Sequence, residues 1–311
     1  MDDTHHVEEQ LGDYYLLRPI GRSDFSDVYL AEHIQQHTQV ALKRLHGPVK
    51  GEDARKFLHH TATLARLQHP HIVAIRDFGI ERDVAFLVMD YIPHGSLRQR
   101  HPRGARVPLE VILGYVKQVA DALYYVHQQG LVHRDVKPHN MLLDGDGRIM
   151  LNDFGTVTGS YSLQPEQASL DDFEGTVLYA APEQLQGKPQ RSSDQYALAV
   201  VVYEWLCGDW PFSGSFHEIA HQHLFAPPPY LQEKGITLPI AIEQAVLRAL
   251  EKDPTKRFSS VMMFAEELEW AYKVAHAKGL LQHTATQAEV SSPEPQPPPR
   301  RQFKRPLPFT K

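Results

Sequence analysis

Leu131–Leu143 reads LVHRDVKPHNMLL, and Ile149–Gly155, a few residues on, reads IMLNDFG. Each stretch sets oxygen-bearing side chains beside a short apolar run: Asp135 and Asn140 in the first, Asp153 in the second. Carboxylate and amide oxygens at the ends of neighbouring short strands are what a hard cation such as Mg²⁺ selects, with phosphate oxygens completing its shell. Asp153 alone would be an ordinary exit from a strand into a turn. The pair of stretches, with twelve residues between Asn140 and Asp153, asks for more.

Upstream, phosphate chemistry needs a positive group and a backbone cradle. Lys43, in the strand-like run VALK, offers the first; read alone it is a surface lysine on a strand. The second is the turn after Leu17–Ile20, reading GRSDFSDVY from Gly21 to Tyr29. From Tyr14 to about Met89 short β-branched and aromatic runs predict strands: LLRPIG, DVYLAEH, QVALKRL, HIVAIRDFG and VAFLVMDY. One helix interrupts them, roughly 52–68, ending before His69-Pro70.

After Pro93 the pattern turns helical. Leu109, Ile112, Leu113, Val116, Val119, Ala120, Leu123 and Val126 recur at helical spacing. Further helices are expected at 193–206, 216–223, 240–251 and 259–276. The division that follows is an extension over 1–13, a β-rich small lobe over 14–89, a connection over 90–95, a helical lobe over 96–276 and a tail over 277–311. From Ser291 the tail, SSPEPQPPPRRQFKRPLPFTK, is proline-dense and basic, and is expected to be disordered with polyproline II tendency. It is either inert or a docking site for a partner.

The bulk numbers exclude some classes. The 311 residues are 42% hydrophobic and 23% charged, as in globular chains, and suffice for a substantial core. The net charge of −6 argues against a nucleic-acid binder. Cys207 is the only cysteine, so no disulfide within the chain is expected and a reducing compartment fits. The start has no basic and apolar signal pattern, and the longest apolar run, Tyr196–Cys207, carries Glu204 and is too short for a bilayer. A soluble cytoplasmic protein with no transmembrane segment is expected. His217–His221 spells H-E-x-x-H, a zinc-site spacing, but no separate third ligand is evident and a surface helix is the expected reading.

In order and spacing, VALK, HRDVKPHN, NDFG, GTVLYAAPE (Gly175–Glu183), SSDQYALAVVVYEWLCGDWPF (Ser192–Phe212) and KDPTKRF (Lys252–Phe258) resemble the eukaryotic-like protein kinases, with the bacterial serine/threonine kinases most similar. The resemblance runs from about Tyr14 to Tyr272. It implies an α+β, bilobal fold and an ATP- and Mg²⁺-dependent transfer to Ser/Thr hydroxyls of protein substrates in signalling, with Mn²⁺ as an alternative cation.

Carried over residue by residue, Asp135 is the base that orients the attacking hydroxyl and Lys137 steadies the transferring phosphoryl. Asn140 and Asp153 hold the metal, and Lys43 meets the α/β-phosphates. Ile20, Gly21, Val28, Ala41 and Leu142 enclose the nucleotide; Met89 is the gatekeeper, and the Asp90 carbonyl and Ile92 amide meet the adenine edge. Asp194 pins the catalytic loop and Glu183 pairs with Arg257. Arg134 awaits a negative group on the segment before Glu183. That group is a phosphate on Ser160, Tyr161, Ser162 or Ser169, or a built-in Asp171, Asp172 or Glu174. Thr176 is the threonine beside the catalytic aspartate.

Two features, the glycine-rich loop and the helix glutamate, depart from the family pattern. Ser23 and Ser26 stand where the loop carries its second glycine and its third small residue. A Cβ at Ser23 is expected to strain a backbone that needs positive φ, by roughly 1–2 kcal/mol. The glutamate that pairs with the strand lysine is replaced by His60. Asp53 shares its helix face but lies roughly 10 Å along the axis, leaving Lys43 to Asp153, to the phosphates or to a rearranged helix. These departures raise the alternative of a pseudokinase scaffold with weak nucleotide binding.

Overall fold

The computed structural model describes residues 9–23, 25–154 and 177–280. A six-stranded antiparallel sheet comes first: β1 (Glu9–Leu11), β2 (Tyr14–Arg22), β3 (Ser26–His33), β4 (Gln39–Leu45), β5 (Ile75–Glu81) and β6 (Val84–Asp90), in the order β1-β2-β3-β4-β6-β5. Alternating side chains fix the register. Leu11, Tyr14, Leu16, Ala31, Val40, Leu42, Phe86 and Val88 form one small core on a single face. β2 tolerates Pro19 because the pairing with β3 slips on either side of it, between Leu16 and Arg18 and between Pro19 and Gly21.

Helix α1 (Gly51–Leu64) crosses this sheet and buries Phe57, Thr61 and Leu64. It ends four residues short of the expected limit, because Ala65–Leu67 tighten into a turn in which the Leu67 N–H donates to Leu64 O. β1 falls within the segment expected to precede the sheet. Its three residues carry little strand signal of their own and gain it by pairing with β2, Glu9 opposite Leu16. The run HIVA at 71–74 lies outside β5. It instead bridges to the second lobe, where the Val73 N–H donates to Leu151 O.

The second lobe is built on α3 (Leu109–Gln128) and α5 (Arg191–Cys207), around which α4 (Pro182–Leu185), α6 (Phe216–Phe225), α7 (Ile240–Ala249) and α8 (Val261–Ala277) pack; α2 (Leu97–Arg100) links the lobes. In α3 the buried face is Ile112, Val116, Val119, Ala120, Leu123 and Val126, the predicted spacing. In α5 all residues from Ser193 to Cys207 are buried, as an all-round apolar helix must be. It stops at Gly208, whose φ of 82° and close approach to Gly104 O would place any Cβ 2.8 Å from that oxygen. The bilobal α+β arrangement is the one expected. No helix among the described residues is long and apolar enough to cross a membrane.

Between the lobes sits a small hairpin, β7 (Met141–Leu143) and β8 (Ile149–Leu151). It is tied upward through Ile72 and Leu151 and sideways through Ser96 and Leu142. That hairpin positions the site.

Candidate active site

The hairpin brings its two flanks together, with the Asn152 N–H donating to Asn140 O at 2.8 Å. Asn140, at the end of a 3-10 turn over Pro138–Asn140, is buried. Its Nδ2 donates to both Asp135 O and Asp135 Oδ2, each at 2.8 Å. With the amide nitrogen committed twice, Asn140 Oδ1 is the end left to meet a cation. Lys137 Nζ stands 3.0 Å from the same Asp135 Oδ2, and among the described residues no hydrogen bond engages Asp135 Oδ1. From across the cleft β4 delivers Lys43, nearly buried, whose Nζ donates to Asp153 Oδ1 at 2.7 Å. Burial alone would push the Asp153 carboxyl up; Lys43, aided by Lys137, holds it below the usual carboxylate value.

The loop carrying Asp135 is held from beneath. Asp194, at the start of α5 and fully enclosed, accepts from the His133 and Arg134 backbone N–H groups at 2.8 Å, and its Oδ2 accepts from His127 Nε2 at 2.7 Å. Arg134 thereby adopts φ 69°, and Asp153 has φ 57°. Two non-glycine residues thus sit in the left-handed region, one directly before Asp135 and the other Asp153 itself, a conformation that persists only where neighbours over-determine it.

His133 has a role the sequence reading did not assign. Its Nδ1 accepts the Asp135 N–H at 3.2 Å and its Nε2 donates to Asn152 O at 3.0 Å, so one neutral tautomer joins the two loops. Burial holds its pKa down and its ring packs on Phe154, 4.6 Å between centroids. The available signal was its place, directly before Arg134-Asp135 and behind an apolar run.

The residues expected to enclose a nucleotide lie on neighbouring strands and in one apolar cluster. Gly21 pairs with Val28, Val28 with Lys43 and Ala41 with Met89 across the strands. Met89, Ile92 and Leu142 share one apolar cluster, and Ile20 projects, partly exposed, at the bulged end of β2. The Asp90 carboxylate is held by Arg76 at 2.6 and 2.8 Å. Ser160, Tyr161, Ser162, Ser169, Asp171, Asp172, Glu174 and Thr176 lie outside the described residues.

The two departures look different in three dimensions. Ser23 is not in the positive-φ region, so the expected strain is absent there. Its hydroxyl closes the turn instead. Ser23 Oγ accepts from the Phe25 N–H at 3.3 Å and the Ser26 N–H at 3.2 Å, and can donate to Ser26 O. A serine followed three residues later by another, around Asp-Phe, is a side-chain-closed turn that sequence could have offered. His60 makes no bond to Lys43. Its Nε2 is buried with no hydrogen-bond partner among the described residues, and burial followed by the nearby Arg134 and His59 hold it neutral, below its usual value. Of the three options for Lys43, Asp153 is the one realised.

Glu183 and Arg257 form the expected buried pair, 2.7 and 2.9 Å. The zinc-like spacing on α6 resolves into a helix cap, with Glu218 Oε2 accepting from the Ser215 N–H and Oγ at 2.7 and 2.8 Å.

Comparison with known proteins agrees with this geometry. The family described as Protein kinase domain matches residues 14–270. Serine/threonine-protein kinase PrkC of Bacillus subtilis is 35% identical over 268 residues, 85% of this chain and 40% of the relative. PknF of Mycobacterium tuberculosis is 35% identical over 82% of this chain and 55% of its own length. The DNA damage-responsive kinase RqkA of Deinococcus radiodurans is 34% identical over 86% and 41%. The chain therefore spans about half, or less, of the length of these curated relatives. With an ordered set of motifs, a bilobal fold and a family match over most of its length, the chain belongs to the protein kinase domain family, among relatives that are bacterial serine/threonine kinases.

Proposed function

We propose that the chain transfers the γ-phosphoryl group of ATP to serine or threonine hydroxyls of protein substrates, with Mg²⁺, in signalling. The observation that carries this reading is the convergence of Lys43, Asp153, Asn140, Asp135 and Lys137 from β4 and the two flanks of the β7–β8 hairpin. The donor set fits the family's cofactors. One carboxylate and one amide oxygen suit a hard cation that takes its remaining ligands from phosphates and water. Mn²⁺, a similar oxygen-seeking ion, is the alternative.

In this reading Asp135 Oδ1 orients the acceptor hydroxyl and takes its proton, while Lys137 balances charge on the phosphoryl. Asn140 and Asp153 hold the metal, Lys43 the α/β-phosphates, and Val28, Ala41, Met89 and Leu142 the adenine. Arg134 is proposed as the receiver of a phosphate or carboxylate from the segment 155–176. The stretch from Ser291 is proposed as a docking element for a protein partner, and the cytoplasm, where ATP is, as the location.

ATP is expected to raise the melting temperature appreciably more with Mg²⁺ than with EDTA, since only the metal-bearing complex engages Asn140 and Asp153. Equal shifts with and without metal would count against these ligands. Radiolabelled ATP with a generic basic protein tests the transfer itself. The weak-binding scaffold alternative rests on Ser23 and His60, and the same assay decides it.

Lys43 now occupies the carboxylate that the metal needs. His60→Glu should draw Lys43 toward α1 and free Asp153, restoring a charge-assisted contact of about 1–3 kcal/mol. The expected outcome is a gain of roughly five- to hundredfold in turnover. Because burial and Arg134 resist protonation of His60, any activity lost to its charging falls below pH 6.5, and His60→Glu should lessen that acid limb. Turnover no higher than wild type, with Lys43→Met as blank, would show that this position does not limit catalysis.

A further inference from the structure

Between α6 and the start of α4 lies a buried polar chain that the proposed chemistry does not use. His223 of α6 is fully enclosed, its ring edge-on to Phe212 at 4.9 Å. Its Nδ1 lies 2.9 Å from Tyr196 Oη, and its Nε2 lies 3.2 Å from Leu178 O. Lys252 Nζ donates to Tyr196 Oη at 3.3 Å and to Gln222 O at 3.2 Å, under the rings of Phe212 and Tyr196.

The far end of this chain fixes the proton order. Leu178 O can only accept, so His223 Nε2 carries the proton and Nδ1 accepts from Tyr196 Oη. Burial pushes the Lys252 amine down to about 7, and the histidine tautomer is the same whether that amine is charged or neutral. Burial, followed by Lys252, keeps the imidazole neutral, pushed down to about 3, so this tautomer persists across the working range.

Leu178 belongs to the strip of backbone that leads into α4. Its neighbour Tyr179 is fixed by its side chain, with Arg98 and Trp210 donating to its hydroxyl at 2.6 and 3.0 Å and that hydroxyl donating to Glu204 at 2.6 Å. Gln184 of α4 donates to Arg134 O at 2.8 Å, tying the same strip to the loop that carries Asp135. The strip thus adjoins the loop against which a polypeptide would place its hydroxyl at Asp135. One residue of the strip is therefore held through its side chain and the next through a carbonyl that points at a histidine.

We propose that His223 is a positioning residue for the protein substrate: it sets the Leu178 peptide, and with it the strip on which the substrate lies beside Asp135, through the Tyr196–His223–Leu178 O chain. The bland alternative is a packed histidine that contributes only stability. The inference rests on the kinase reading, and the two can fail separately.

The test is steady-state kinetics of the full chain with a basic protein substrate, Asp135→Asn as blank, beside melting temperatures and hydrogen exchange of amides 177–181. His223→Leu should raise KM for the protein about tenfold, the worth of one buried hydrogen bond. KM for ATP and the substrate-free ATP hydrolysis should stay unchanged, while exchange at 177–181 speeds up. His223→Gln, whose Nε2–H can reach the same carbonyl, should recover most of the loss. Should His223→Leu fail to fold, Tyr196→Phe keeps the ring and removes only the hydroxyl, and a smaller KM rise of the same kind is expected from it. A protein KM like wild type in these variants, KM values for ATP and protein rising together, or no recovery with Gln would each overturn the inference. Wild type no better than the blank would overturn the kinase reading and the substrate role with it.

Discussion

Asp135→Asn should lower phosphoryl transfer by about 100- to 10,000-fold while leaving the fold in place. The substitution keeps the shape of the side chain, and an amide oxygen can still accept from Asn140 Nδ2, which now spans Asp135 O and Oδ2. What disappears is the negative charge and the oxygen able to take a proton from a hydroxyl. Lys137, 3.0 Å away, loses its counter-charge. The check is radiolabelled transfer to a basic protein together with the melting temperature. A rate within a few-fold of wild type would remove Asp135 from the proposed chemistry.

A second large effect concerns the scaffold. Glu183→Ala should destabilise the chain by about 3–5 kcal/mol, because it strands the Arg257 guanidinium in the interior. Arg257 is 3% exposed. Its Nη1 and Nη2 grip the two carboxylate oxygens, and Ser193 Oγ donates to Glu183 Oε1 at 2.7 Å. The carboxyl is held below its usual value despite burial, which alone would raise it, because Arg257 and Ser193 both favour the charged form. Replacing both partners, Glu183→Leu with Arg257→Met, should cost less than the single change, since no orphan charge remains. Denaturant midpoints for the single and double variants test this, and a Glu183→Ala midpoint equal to wild type would refute it.

Much of the fold could be read from periodicity. The short apolar runs VALK and VAFLVMDY, buried on successive residues, the helical spacing of α3 and the unbroken apolar run of α5 each have one economical burial. The site was legible for a different reason: its groups sit in short ordered motifs whose residue types are dictated by phosphate and metal chemistry. What sequence could not show is which distant groups meet. Lys43 and Asp153 are 110 residues apart; the family resemblance offered Asp153 as one of three partners for Lys43, and only the fold selects it. β1 was unreadable because three residues, two of them exposed and polar, become a strand only through β2. Ser23 was misread because glycine in such loops is ordinarily explained by positive φ; the side chain turned out to be an acceptor and not an obstruction. His223 was hidden inside a zinc-like repeat of histidines, where spacing drew the eye to His217 and His221. Only tertiary packing shows that the third one is enclosed.

The turn at Ser23 bears on pharmacology. In the proposed site its hydroxyl already occupies the Phe25 and Ser26 amides, so the phosphates of ATP gain those donors only by displacing it. A flat heteroaromatic inhibitor that fills the slot between Val28, Ala41 and Leu142 has no phosphates and leaves the turn closed. Such a compound competes against a natural rival that must open the loop, and millimolar ATP should therefore blunt its potency less here than in a relative with an open glycine loop.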